Sequence, residues 1–294
     1  MRKLCLLSPV PLMAALLPAL LTLGLPPTSV QAQNPPANHG TPALPAAKPN
    51  PTDEMLARAG KLYYSTTKAG LNGFDCAVVP DWLTVFHSAQ PDVAFAADDP
   101  RILLLKSVKI TLHAQMKGGS SVDWTPPAPS APLDKDSADL LDGMHQATEQ
   151  SLQGFLQFWT PFVDGSAVPS SSQGLEIAKT DNGYKLHAEQ TGTSVTEELD
   201  NNLLITHYSV TMDQATVNFV PAYKPTDKGL LVDGFLAHIL PAGSPPDQVQ
   251  EMHVSIEYQT VSGVLIPARL KMNVVGSGAF DFIFDGCAVN PLTK

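Results

Sequence analysis

Residues 252–284 read MHVSIEYQTVSGVLIPARLKMNVVGSGAFDFIF. In the first third, Met252, Val254, Ile256 and Tyr258 alternate with His253, Ser255, Glu257 and Gln259. Successive side chains of a strand point to opposite faces, so this period of two predicts a strand with one buried and one wetted side. Ser262-Gly263 turns the chain, and Ile266, Ala268, Leu270, Met272 and Val274 then alternate with Arg269, Lys271 and Asn273. After a second turn at Gly276-Ser277-Gly278, Phe280, Phe282 and Phe284 lie on one side, with Asp281 and Asp285 facing away. Three such segments joined by short glycine turns are an antiparallel meander.

The meander extends upstream. Leu175–Lys179 meets Tyr184–Glu189 through Asn182-Gly183, a two-residue hairpin signal. Val195–Leu199, Leu203–Met212 and Ala215–Tyr223 read as further strands, and Leu204, Thr206, Tyr208, Val210 and Met212 form the more apolar face of the second. Gly229–Leu240 is apolar on both faces, as expected of a central strand. Nearer the N-terminus, Val108, Ile110, Leu112, Ala114 and Met116 alternate with polar residues, predicting a strand that Ile102–Leu105 precedes or extends. Residues 120–133 read as a proline-rich loop, and residues 75–89, split by Pro80, fit either a short helix or loop anchors.

Two helices interrupt the strands. Met55, Leu56, Ala59, Leu62 and Tyr63 recur at helical spacing within residues 53–69, with Asp53 and Glu54 at the positive end of the dipole. The longer helix spans residues 136–162. There Leu141, Met144, Thr148, Leu152, Phe155, Trp159 and Phe162 form a stripe that Leu140, Leu156 and Phe158 widen. A sheet wet on one side must cover the other, and the helices are the available cover. The expected fold is therefore α+β: a strongly curved antiparallel sheet, an open β-barrel, with helices over its apolar concave face.

The N-terminus reads as an export signal. Arg2 and Lys3 precede an apolar run from Leu4 to Leu25, and Val30-Gln31-Ala32 supplies small residues for cleavage after Ala32. This predicts a signal peptide over residues 1–32, a Pro/Ala-rich disordered linker over 33–52 and one domain over 53–294. No second apolar run approaches the roughly 20 residues of a membrane span. The expected product is exported, soluble, and periplasmic or extracellular. Removing the signal leaves Cys76 and Cys287. An even count in an oxidising compartment predicts a disulfide, with two buried thiols as the alternative. Such a bridge would contribute up to about 5 kcal/mol by chain entropy.

A formal net charge of −10 with few arginines argues against nucleic acid as a partner. No HExxH, CxxC, GxSxG or phosphate-loop pattern occurs, so no catalytic residue, metal or cofactor is expected. His113, His187 and His253 fall on polar strand faces. Asp134-Lys135-Asp136 departs from a calcium loop at its sixth and twelfth positions and fits helix capping instead. The helix aromatics and Phe280, Phe282 and Phe284 either line a ligand cavity or pack as plain core; both readings stand.

Two stretches carry a resemblance: Glu197-Glu198-Leu199-Asp200-Asn201-Asn202-Leu203-Leu204-Ile205, a strand-turn-strand unit, and Glu257 to Pro267, where a strand bearing Tyr turns at Gly and resumes with Ile-Pro. With the order of helix, strands, long helix and strand meander over residues 53–290, they resemble the LolA/LolB-like superfamily of periplasmic lipoprotein carriers. The resemblance implies a non-enzymatic protein that binds or carries a lipid or acylated ligand between sheet and helices. The expected lining is then Phe155, Trp159, Phe162, Tyr258, Leu270 and Phe282. The family's lid-latching arginine has no counterpart among Arg58, Arg101 and Arg269. The alternative is an envelope structural or interaction module with a fully packed core.

Overall fold

A computed structural model describes residues 50–117, 119–128, 133–165, 167–190 and 192–292. The expected signal peptide and all but the last residues of the expected linker lie outside them. The strands are β1 (Leu71–Pro80), β2 (Lys109–Gln115), β3 (Ser121–Thr125), β4 (Glu176–Thr180), β5 (Gly183–Gln190), β6 (Thr193–Asp200), β7 (Ile205–Met212), β8 (Ala215–Thr226), β9 (Gly229–Pro241), β10 (Gln250–Val261), β11 (Val264–Val274) and β12 (Gly278–Pro291). The helices are α1 (Pro51–Gly60), α2 (Trp82–Ala89), α3 (Pro100–Lys106) and α4 (Lys135–Val163).

All twelve strands belong to one antiparallel sheet, ordered β3-β2-β1-β12-β11-β10-β9-β8-β7-β6-β5-β4. Every neighbour pair but one is consecutive in the chain. The exception, β1 against β12, joins the first strand to the last, with Val78 opposite Phe284. The sheet is not closed, so β3 and β4 are its two edges. β9 lies well inside it between β8 and β10, with Phe235, Ala237 and Ile239 buried and Leu236 and Leu240 on the half-buried other face.

Because α4 follows one edge strand and precedes the other, it must carry the chain from edge to edge. Its 29 residues span about 43 Å at 1.5 Å each. Asp134 caps its start, accepting a hydrogen bond from the Ser137 amide at 2.8 Å, as the capping reading of these aspartates requires. Leu141, Met144, Thr148, Leu152, Phe155, Trp159 and Phe162 are all buried, so the predicted stripe is the packed face.

Several elements differ from the sequence reading. Ile102–Leu105 is not strand but part of α3, because Asp99 caps the Arg101 amide and Pro100 opens the first turn. The first helix stops at Gly60 rather than residue 69. Tyr63 instead bridges Leu230 at the start of β9. Gly229 has φ +119°, and a Cβ there would fall 2.8 Å from the Tyr63 carbonyl carbon. Residues 121–125 are not loop but edge strand β3, recruited by pairing with β2. Residues 71–80 form β1, and the helix that follows starts at Trp82 behind its Asp81 cap. The β4–β5 hairpin turns at Asp181-Asn182, one residue earlier than read, since Thr180 pairs with Gly183. In β7 a register shift opposite Glu198 and Leu199 makes Ile205, Tyr208 and Val210 the buried set.

Cys76 and Cys287 form a disulfide that closes 211 residues of sequence. It sits on the β1–β12 pairing, where the first strand of the chain meets the last. No helix among the described residues is long and apolar enough to cross a membrane.

Candidate functional site

The interface between α4 and the sheet has two halves of different character. In the first, Trp159 is fully buried, stacks on Phe155 at 6.0 Å and meets Phe74 of β1 edge-on at 6.2 Å. Its indole N–H donates to the Tyr258 hydroxyl at 2.8 Å. That hydroxyl in turn donates to the Val232 carbonyl. Burial raises the Tyr258 phenol above its ordinary pKa, so it stays a neutral relay. Both polar atoms of the pair are satisfied. Leu270 and Phe282 are register partners on β11 and β12 and are fully buried.

Phe162 belongs elsewhere. It contacts Tyr208 at 5.4 Å and Phe235 at 6.5 Å, while neighbouring Phe158 lies 5.0 Å from Phe219. Of the six residues expected to line a cavity, the structure thus joins Phe155, Trp159 and Tyr258 in one cluster. It places Phe162 in a second cluster over β7–β9.

The second half holds the residue that the sequence reading missed. Cross-strand register runs Leu186, Glu197, Tyr208, Phe219, Ala237 and Met252 from β5 to β10. All six are buried. Glu197 is therefore a carboxyl in the middle of an apolar row, and its Oε2 has no hydrogen-bond partner. Desolvation alone pushes its pKa up to about 8, because taking a carboxylate out of water without a compensating charge disfavours the ionised form. Among the described residues no basic group moves it.

Tyr208 lies directly opposite this carboxyl on β7. The acid acts electrostatically on Tyr63, Tyr208 and Tyr223, and burial is the largest cause that raises each phenol, Tyr63 to about 12. Tyr63 and Tyr223 pack ring to ring at 5.3 Å. The Tyr63 hydroxyl is committed, accepting from the Ile205 amide at 2.6 Å and donating to the Leu203 carbonyl at 3.2 Å. The buried Tyr223 hydroxyl has no partner. On α4, Thr148 Oγ1 and Gln157 Oε1 are likewise buried and unpartnered.

One signal for Glu197 was present in the sequence. Val195, Glu197 and Leu199 alternate in β6, so the acid shares a face with two apolar residues.

The other ionisable clusters pair their charges within the chain. His113 bridges Asp75 at 2.6 Å and Asp123 at 3.2 Å, tying β2 to β1 and β3. Hydrogen bonding to Asp75 is the largest cause raising its pKa. Arg269 pairs with Asp281 through two hydrogen bonds of 2.8 and 2.7 Å. Among the described residues, no group of three or more His, Cys, Asp or Glu is placed to hold a metal ion. No family model, curated protein or solved structure matches this chain.

Proposed function

We propose that this is an exported, non-enzymatic protein that binds or carries a lipid or other apolar ligand between its sheet and helix α4. One observation carries the reading. Glu197 Oε2 and Tyr223 Oη on the strands, with Thr148 Oγ1 and Gln157 Oε1 on α4, are buried polar atoms without partners. A core built only for stability satisfies such groups, since each one left bare costs about 1–3 kcal/mol. Polar atoms held ready inside an apolar interior are the usual furniture of a ligand site. A strongly curved, open-barrel sheet fits this role. Trp159 reaches both Phe74 on β1 and Tyr258 on β10, strands separated by two others, which supports such curvature. The Cys76–Cys287 disulfide supports an oxidising compartment, periplasmic or extracellular.

The saturated Trp159–Tyr258 relay favours plain packing in the first half of the interface. The ligand therefore belongs to the second half, over β6–β8. Organic extraction and mass spectrometry of protein purified from its native compartment tests the reading. Co-purified amphiphile is the expected result. Absence of any extractable ligand, together with no response to apolar fluorescent probes, would leave the structural-module reading in its place.

A further inference from the structure

We propose that the site formed by Glu197, Tyr63, Tyr208 and Tyr223 binds the ammonium group of an amphiphilic amine, whose apolar chain lies along Phe162, Phe219 and Phe235. This inference rests on the ligand-binding reading above and names the ligand's polar end.

Among the described residues two carboxylates are buried, Asp281 and Glu197. Asp281 is neutralised by Arg269 through a two-point hydrogen-bonded pair. Glu197, equally buried, has an unpartnered oxygen and, among the described residues, no cation acting on it. Without a partner it stays protonated, and only a cation brought beside it would let it ionise in place, so the complementary charge is positive. Its surroundings suit that charge. Tyrosine faces attract cations through the ring quadrupole, the physical basis of aromatic cages for ammonium groups. Tyr63, with its hydroxyl spent on Leu203 and Ile205, has only its ring left to offer. Tyr223 offers its ring and a hydroxyl without a partner.

An anionic headgroup would itself be a buried charge without a counter-ion there. A neutral alcohol could hydrogen-bond but would gain nothing from the rings. Next to the site, the rings of Phe162, Phe219 and Phe235 lie within 5.4 to 6.5 Å of one another, a surface suited to an alkyl chain. The chain's net charge of −10 also raises the local concentration of cations.

The test compares three probes of equal chain length by calorimetric titration near pH 7.5: dodecylammonium, dodecanol and dodecanoate. Dodecylammonium is expected to bind the wild type at least tenfold more tightly than either other probe, since it alone pairs a charge with the Glu197 carboxyl. Glu197→Gln, close in shape, is expected to bring amine and alcohol within about threefold of each other. Tyr223→Phe should narrow the gap by a smaller factor. Equal binding of amine and alcohol to the wild type, tighter binding of dodecanoate, or an undiminished preference in Glu197→Gln and Tyr223→Phe would overturn the proposal while leaving the ligand-binding reading intact. Failure of all three probes to bind would overturn both.

Discussion

Replacing Glu197 by Gln removes an ionisable group from the interior while keeping its shape, and the consequence is a change in how stability depends on pH. In the folded protein the carboxyl titrates near 8, against an ordinary value of 4.5. Between those values the folded state binds more protons than the unfolded chain, so stability falls as pH rises through the window and levels off above it. The contribution is fully present below about 4.5 and lost by about 8. A difference of about 3.5 pH units at 1.36 kcal/mol each gives a ceiling of roughly 5 kcal/mol. Glu197→Gln has no proton to lose. Urea unfolding followed by tryptophan fluorescence at pH 4.5, 6, 7 and 8.5 should place the variant ahead of the wild type by several kcal/mol more at pH 8.5 than at pH 4.5. His113 also titrates above its usual value and weakens the fold as pH rises, but it is common to both proteins and cancels in the difference. A wild-type-to-variant difference that is the same at all four pH values would refute a buried, proton-holding Glu197.

Three further outcomes are expected. Replacing Cys76 and Cys287 together by Ser removes a link across 211 residues and should cost up to about 5 kcal/mol by chain entropy, read as a lower urea midpoint that added reductant no longer changes. Tyr258→Phe strips the Trp159 N–H and the Val232 carbonyl of their shared partner. It should cost about 2 kcal/mol or more, exceeding the cost of Trp159→Phe in the same denaturation assay. Asp75→Asn should lower the His113 pKa, because hydrogen bonding to Asp75 is the largest cause raising it; an NMR titration of the imidazole that moves the other way, or not at all, would show that the pair does not form.

The period of two was enough to place most of the sheet, because alternation is imposed residue by residue by the pleat. It reached β10, β11 and β12 with their turns, and the helical stripe reached α4 nearly to its ends. Where a segment is short or its pattern ambiguous, local signals did not suffice. Ile102–Leu105 has strand-like composition but is helical, since Asp99 and Pro100 cap and open a turn before any sheet partner is met. Ser121–Thr125 carries little apolar periodicity and becomes strand only because β2 offers a free edge.

The candidate site divides in the same way. The sequence alone determined which residues share a face: Phe155, Trp159 and Phe162 on α4, and Val195, Glu197 and Leu199 on β6. It also determined that two cysteines were available to pair. Tertiary structure decided the rest. Only packing shows that Trp159 spends its N–H on Tyr258, that Phe162 joins a different cluster, and that Glu197 has apolar and aromatic neighbours with no cation among them. The physical reason is that alternation assigns a side chain to one side of a sheet without saying what covers that side. Desolvation, and with it the altered titration of Glu197, arises only when α4 crosses from one edge of the sheet to the other and shuts water out.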